Sequence, residues 1–336
     1  MQTLIVTGAA GFIGSNFVRF MLGKYPDYRI FVLDALTYAG NRDNLSDVWK
    51  NPNFTFIKGD IRDAALVDNL AQNADAIINF AAETHVDRSI VSPGEFIQTD
   101  VAGVWTLLEA ARKYELEHFV HISTDEVFGS RESGSFKEGD PLEPNSPYSA
   151  SKASGEMMVR AYHATYGLPT VVTRGSNTFG PYHYPEKMIP LFITNLIDDL
   201  PVPVYGDGMQ VRDWMYVLDH CRGIDIALHQ GQPGEVYNLG GGNERPNVEV
   251  VKRLLQLLGK PESLIAHVKD RPGHDRRYSI DCSKLKALGY QPEKPFEERL
   301  EETVHWYLAN EGWWRKIKEK QRDYQAFMQQ WYAERK

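Results

Sequence analysis

The chain has 336 residues, 42% hydrophobic and 24% charged, which is enough apolar side chain for one large domain or two packed ones and leaves no room for dominant disorder. A formal net charge of −8 disfavours a nonspecific grip on nucleic acid or an anionic membrane and favours small-molecule partners. Two distant cysteines, Cys221 and Cys282, stand in no metal-ligating spacing, and the sequence has no apolar run of spanning length and no cleavable leader, so a metal-free protein of the reducing cytoplasm is expected.

The first predicted element is the strand TLIVTG, which runs into Gly8-Ala9-Ala10-Gly11-Phe12-Ile13-Gly14 and then a helix. Glycines there allow a tight turn and close backbone approach to a pyrophosphate, while the helix N-terminus offers unpaired N–H groups to the anion. The spacing is GxxGxxG rather than GxGxxG, and a glycine-rich turn by itself is also an ordinary tight connection. A second strand, RIFVLD, closes on Asp34 about 20 residues later, where a carboxylate accepts hydrogen bonds from both ribose hydroxyls and repels a 2′-phosphate. NAD is therefore expected over NADP. The third strand, FTFIKGD, ends at Asp60, which reads equally as an adenine contact or a helix cap.

Helix AALVDNLAQ, strand AIINFAA, helix TDVAGVWTLLEAARKYE, strand FVHIS and strand PTVVTRGSN continue the alternation. Nearly all-apolar strands separated by helices predict a doubly wound, Rossmann-like parallel sheet, covered on both faces. Thr124, Asp125 and Glu126 follow FVHIS at its carboxyl end, where such sheets place ligands. The two acids divide acid and base work if their surroundings separate their pKa values; otherwise they are solvated loop acids. Tyr148 and Lys152 lie four apart on one face of a helix starting after Pro147, so the ammonium, with the cofactor's positive nicotinamide also close, is expected to lower the phenol pKa toward neutrality and allow a phenolate base.

Beyond residue 178 the sequence turns rich in Pro, Gly and charges, which predicts a division into a dinucleotide-binding domain, 1–178, and a smaller α/β substrate-binding domain, 179–336. The apolar run at 235–242 is expected to return as a strand to the large sheet. The tail from Trp313 to Lys336 reads as one amphipathic helix packed on the body. His85, His118 and His121 form no helical ligand pair and are expected to be structural.

TGAAGFIG, YSASK and the loop acids resemble the extended short-chain dehydrogenase/reductase family. Within it, LDALTYAGN, AAETHVDRSI, STDEVFG, SNTFGPYHYPEKMIP, VYGDGMQVRDWMYV and PGHDRRY are similar to the nucleotide-sugar 4,6-dehydratases, from residue 3 to about 315. For the NAD cofactor, the resemblance implies Gly8, Gly11, Phe12, Ile13 and Gly14 at the pyrophosphate, Asp34 and Thr37 at the adenosine ribose, and Asp60 and Ile61 at the adenine. Ala81, Ala82, Thr99, Tyr148 and Lys152 would line the nicotinamide half. For the substrate, dTDP-glucose, it implies Thr84, Thr124, Asp125, Glu126 and Tyr148 at the sugar, and Asn177, Lys187, Met188, Arg212 and Asn247 at the diphosphate. Pro203 and Tyr205 would meet the base, with His274, Arg277 and Tyr278 closing over it. The family's Asn-Asn-Tyr-Gly stands here as Asn177-Thr178-Phe179-Gly180, so a cofactor contact of the second Asn falls to Thr178.

The implied reaction oxidises C4 with NAD, eliminates water across C5 and C6, and returns the hydride to C6. Tyr148, Lys152 and Thr124 would serve the redox step, Glu126 would take the C5 proton and Asp125 protonate the C6 hydroxyl. The implied pathway is deoxysugar synthesis, such as dTDP-L-rhamnose, and the implied assembly is a homodimer through a four-helix contact of segments 98–114 and 148–165. The residues themselves leave open UDP-glucose as substrate, a nucleotide-sugar 4-epimerase using the same Tyr-Lys pair, a plain alcohol dehydrogenase, and a noncatalytic NAD sensor.

Overall fold

A computed structural model describes residues 2–333 and 335. Its six N-terminal strands are β1 (Thr3–Thr7), β2 (Arg29–Asp34), β3 (Phe54–Lys58), β4 (Ala76–Asn79), β5 (His118–Thr124) and β6 (Thr170–Gly175). Six further strands follow: β7 (Asn177–Phe179), β8 (Val202–Tyr205), β9 (Val211–Tyr216), β10 (Val236–Leu239), β11 (Glu244–Pro246) and β12 (Ile265–Val268). Seven of them form one parallel sheet in the order β10-β6-β5-β4-β1-β2-β3. The chain runs outward one way from β1 to β3 and the other way from β4 to β6, so a crevice opens beyond the carboxyl ends of β1 and β4.

Thr3–Thr7 is buried at every residue, as expected of a central strand covered on both faces. On one face the Phe12–Lys24 and Val217–Gln230 helices meet through Phe17, Met21, Ile224 and Leu228. On the other, the Ala64–Ala71, Val104–Lys113 and Pro147–Tyr166 helices contribute Val67, Leu107, Leu108 and Val159. Each such side chain taken from water contributes about 1.5–3 kcal/mol, so both layers are held mainly by apolar burial.

Several boundaries differ from the sequence reading. The returning strand covers Val236–Leu239 and pairs in parallel with β6. Residues 98–114 do not form one α-helix: Gln98–Gly103 is a wider π-turn, and it tucks Asp100 into the interior. The tail is two helices, Glu311–Lys320 and Arg322–Ala333. Gln321 between them is extended, and its side chain accepts a 2.8 Å hydrogen bond from the Tyr184 hydroxyl. Residues 334 and 336 of that tail lie outside the described residues.

The later part of the chain has its own core, in which Ile193, Leu196, Leu254, Leu300 and Trp314 are buried together. A three-stranded sheet, β11-β9-β7, and a parallel pair, β12-β8, stand beside it. This body faces the crevice of the large sheet and supplies its second wall.

Candidate active site

Gly8 ends β1 with a φ of +65°, and a Cβ built there would sit 2.6 Å from the Ala81 backbone nitrogen. A Cβ on Gly14 would meet Ala9 Cα at 2.7 Å, so the helix start presses directly on the turn. The Gly11 N–H donates to Gly8 O at 3.1 Å, and the helix that begins at Phe12 has no side-chain cap, leaving its N-terminal N–H groups for a ligand. Asp34 is buried, and its two carboxylate oxygens each accept a backbone N–H, from Ala10 and from Leu36, both at 2.8 Å. Burial raises its pKa and these two bonds oppose the rise. Each oxygen keeps a lone pair for a further donor.

One cavity joins the glycine turn, Phe12, Ile13, Asp34, Thr37, Asp60, Ile61, Ala81, Ala82, Thr84, Thr99, Tyr148 and Lys152. All fifteen of these positions were expected at a cofactor or sugar from sequence, and they come from six separate segments. Thr178 is not among them. Its hydroxyl bonds His220 Nδ1 at 2.8 Å and Ser176 O at 3.1 Å, which turns it away from this cavity.

A second cavity is lined by Glu126, Asn177, Lys187, Met188, Pro203, Tyr205, Arg212, Asn247, His274 and Tyr278. Lys187 lines both cavities, so they adjoin there. Arg277 does not face either one: it pairs with Glu244 at 2.7 Å and donates to the Gly134 carbonyl. Arg212 stacks 4.0 Å from the Tyr278 ring centroid and donates to the carbonyls of Val211 and Asp275. The buried Oδ1 atoms of Asn177 and Asn247 have no hydrogen-bond partner, and both residues line this cavity, where their amide N–H groups are the part suited to an anion.

Where the cavities adjoin, β5 delivers Thr124, whose hydroxyl accepts from the Glu126 N–H and donates to Asp125 Oδ1, both at 3.3 Å. Asp125 is buried, and its Oδ2 has no hydrogen-bond partner. Burial, with Glu126 and Asp213 nearby, pushes its pKa well above the usual carboxylate range. Glu126 is also raised by burial, but Arg271, Arg212 and Lys187 act against that. Burial thus raises both acids, and the three cations that oppose the rise at Glu126 leave Asp125 the more strongly raised of the two.

The protein's own groups do not lower the Tyr148 phenol. Burial, then the negative charges of Glu126 and Asp100, push its pKa well above 10, against a smaller opposing effect of Thr124. Lys152 lies on the same helix, which starts at Pro147 under a Ser146–Ser149 capping box. Its ammonium donates to the Ile122 carbonyl at 2.7 Å instead of to the phenol. Spacing placed the pair on one face, and burial set the sign.

Residues that sequence reasoning missed are mostly charged. Arg271 donates to Asp87 Oδ1 at 2.8 Å and lines the second cavity. Burial would raise Asp87, yet His85, Arg271 and the Tyr205 hydroxyl bring it to about 2. His85 is itself pushed down to about 4 by burial, so near neutral pH the Arg271 guanidinium holds the carboxylate. Near the cofactor cavity, Asp100 accepts from the Ser151 hydroxyl at 2.6 Å and from the Glu83 N–H at 2.9 Å. Burial raises Asp100 to about 6 and, with Asp100 and Glu95 adding to it, Glu83 to about 7. His121 is buried against Asn79, and no cluster of metal-ligating side chains occurs among the described residues.

Sheet and paired cavities together define a Rossmann-type enzyme of the short-chain dehydrogenase/reductase architecture, built to hold a dinucleotide beside a second ligand. The chain belongs to the GDP-mannose 4,6 dehydratase family, whose model matches residues 5–303. It is 52% identical over 325 residues to a dTDP-glucose 4,6-dehydratase of Streptomyces antibioticus, covering 95% of this chain and 96% of that one. It superposes with a TM-score of 0.92 and 51% identity on DesIV, the dTDP-glucose 4,6-dehydratase of Streptomyces venezuelae solved with NAD and dTDP bound, covering 94% of this chain and 100% of that one. A UDP-glucuronic acid 4-epimerase of Bacillus cereus shares the fold with a TM-score of 0.86 at 29% identity, covering 92% of this chain and 99% of that one.

Proposed function

We infer that this chain is an NAD-dependent hydro-lyase that converts dTDP-glucose to dTDP-4-keto-6-deoxyglucose and water. The observation that carries this reading is the buried Asp125–Glu126 pair, set in unlike surroundings beside Tyr148 where the two cavities adjoin, with cations opposing the rise at Glu126 and a stronger rise at Asp125. A 4-epimerase needs only the tyrosine and lysine; elimination needs one carboxyl that is neutral and one that is ionised.

The first cavity fits NAD: a Cβ on Gly8 would fill the close approach at the turn, and Asp34 offers a lone pair on each oxygen to a ribose diol and would repel a 2′-phosphate. NAD bound there supplies a hydride acceptor for C4, the hydride donor for C6 and a positive ring beside the phenol. The pyrophosphate falls to residues Gly8 to Gly14, the adenosine to Asp34, Thr37, Asp60 and Ile61, and the nicotinamide side to Ala81, Ala82, Thr99 and Lys152. In the second cavity Arg212, Lys187, Asn177 and Asn247 meet the diphosphate, while Pro203, Tyr205 and His274 enclose the base.

Tyr148 would take the proton of the C4 hydroxyl as a phenolate, a form that its own buried and acidic surroundings oppose and that the positive charge of bound NAD would favour, with the Lys152 ammonium one turn along the same helix. The 4-ketone acidifies C5–H, which Glu126 removes. Asp125, whose pKa burial raises, donates its proton to the departing C6 hydroxyl, so one water leaves; a proton returns to C5 as C6 is reduced, and the net redox change is zero.

The fold divides into a dinucleotide-binding part, 1–178 with β10, and a substrate-binding part over most of 179–336. Exposed Trp105 and Met157, on the two helices expected at a four-helix contact, support a homodimer there. The buried free cysteines Cys221 and Cys282 suit a reducing cytoplasm, and the product suits deoxysugar synthesis such as that of dTDP-L-rhamnose.

The test is dTDP-glucose carrying deuterium at C4, mixed with unlabelled substrate. Deuterium at C6 of the same molecule, with loss of one water, is the expected result. Deuterium kept at C4 of an inverted sugar, or lost to free reduced cofactor, would replace the dehydratase by an epimerase or a simple dehydrogenase.

A further inference from the structure

The Arg322–Ala333 helix follows the end of the family match at residue 303, and 94% of this chain accounts for the whole of the DesIV chain. It nevertheless reaches the second cavity, where Tyr332 is part of the wall. Trp331 is buried, and its indole N–H donates to the Tyr205 hydroxyl at 2.6 Å. Tyr205 in turn donates to Asp87 Oδ2 at 2.8 Å, and Asp87 Oδ1 accepts from Arg271 at 2.8 Å. A phenol has one proton to give. With an indole donor occupying its acceptor side, that proton is directed to Asp87, so the chain of bonds runs one way, from the helix to the guanidinium.

Other contacts anchor the helix. Phe327 meets the edge of the His85 ring at 5.5 Å and lies under the Arg88 guanidinium at 4.3 Å, while the Tyr324 hydroxyl donates to the Pro185 carbonyl at 3.3 Å. The Tyr332 ring lies 17° from parallel with that of Tyr205, centroids 6.3 Å apart. Two aromatic rings therefore bound one end of the cavity, and the outer one belongs to this helix.

We propose that the Arg322–Ala333 helix shapes the nucleotide end of the substrate cavity, with Trp331 as a positioning residue acting through Tyr205 and Tyr332 as a wall that helps select the nucleotide. This rests on the reading that the second cavity takes the nucleotide of the sugar donor. A role in nucleotide binding, and not in the chemistry, appears as a change in KM with kcat kept.

The test uses the NAD-loaded full chain, Trp331→Phe, Tyr332→Ala, and a chain ending at residue 320. Each is measured by dTDP-glucose kinetics and by calorimetric titration with dTDP. Trp331→Phe keeps the ring and removes the N–H, so a three- to tenfold rise in both KM for dTDP-glucose and Kd for dTDP is expected, with kcat within twofold. The shortened chain should lose at least tenfold in Kd for dTDP. Tyr205→Phe combined with Trp331→Phe should bind dTDP no more weakly than Tyr205→Phe alone, because the indole acts through that hydroxyl. Unchanged Kd in the shortened chain, tighter binding on removing the helix, or a loss confined to Tm and kcat would overturn the proposal. Lack of dTDP-glucose turnover by the unaltered chain would overturn the assigned reaction, while the dTDP titration still decides on the helix.

Discussion

At its phosphate end the cofactor cavity presents a ligand mainly with backbone: the turn at Gly8 and the uncapped start of the Phe12–Lys24 helix, with the buried acid Asp34 beside them, already fixed by two N–H groups. Its neighbour is walled by long charged and aromatic side chains, Lys187, Arg212, Arg271, Tyr205 and Tyr278, which arrive from four segments and hold one another. The first kind of site tolerates most side-chain changes and fails when backbone is forced apart. The second depends on individual side chains and on what orients each of them. Sequence reading follows the same division, since a backbone site needs contiguous residues and leaves a motif, whereas a side-chain site draws single residues from distant segments.

The sharpest way to break this contrast is Gly8→Ala. The new Cβ would meet the backbone of Phe80 and Ala81 below 3 Å at a positive φ, so β1 and β4 must separate. NAD affinity should fall by about a hundredfold or more, equivalent to roughly 2.7 kcal/mol, in a calorimetric titration. A normal affinity would show that the turn has more slack than its geometry allows.

Arg212→Lys probes the other side. Lysine keeps the charge but loses the fork that reaches two carbonyls while stacking on Tyr278. KM for dTDP-glucose should rise by about tenfold with NAD affinity retained, as steady-state kinetics and titration would show. Loss of NAD binding instead would mean that the two cavities are not independent.

A smaller effect is expected at Asp34, the buried acid beside the glycine turn. Asp34→Asn keeps the acceptor to Ala10 or Leu36 but removes the charge, so the preference for NAD over NADP should shrink by about tenfold, roughly 1.4 kcal/mol. Unaltered preference in parallel titrations of both cofactors would take discrimination away from this residue.

The smallest effect concerns pH. Glu83 and Asp100 have folded pKa values raised to about 7 and about 6, so between about pH 4 and pH 7 the folded chain holds protons that the unfolded chain has released. Their contribution therefore falls as pH rises through that window. Glu83→Gln should flatten the decline by on the order of 1 kcal/mol, a Tm difference of about 1–3 °C between the ends of the window. Parallel melting curves for the two proteins would deny Glu83 this role.

The sheet was largely legible because buried central strands are written as short apolar runs, such as TLIVT and RIFVLD, and because a turn glycine is local. Tyr148, Lys152, Asp125 and Glu126 were legible as positions, but the direction of the phenol shift was not, since four-residue spacing carries no information on burial. Arg271 and Asp87 stand 184 residues apart and read separately as ordinary surface charges. The break at Gln321 has no glycine or proline to announce it; a tertiary hydrogen bond from Tyr184 holds it. Thr178 was placed by its neighbours in sequence, and His220 drew it elsewhere.

The parallel pairing of β10 with β6 also bears on how the protein is made. During synthesis β6 is complete about 60 residues before its outer neighbour, and until Val236–Leu239 emerges it presents a row of unpaired backbone groups. A fragment stopped at residue 178 would keep that open edge permanently and invite association between copies, so the dinucleotide-binding part is not separable at the point where the sequence changes texture. The nascent chain must carry its sheet unfinished while the Met188–Ile197 and Val217–Gln230 helices are translated, which makes the stretch after β6 the interval in which a chaperone matters most.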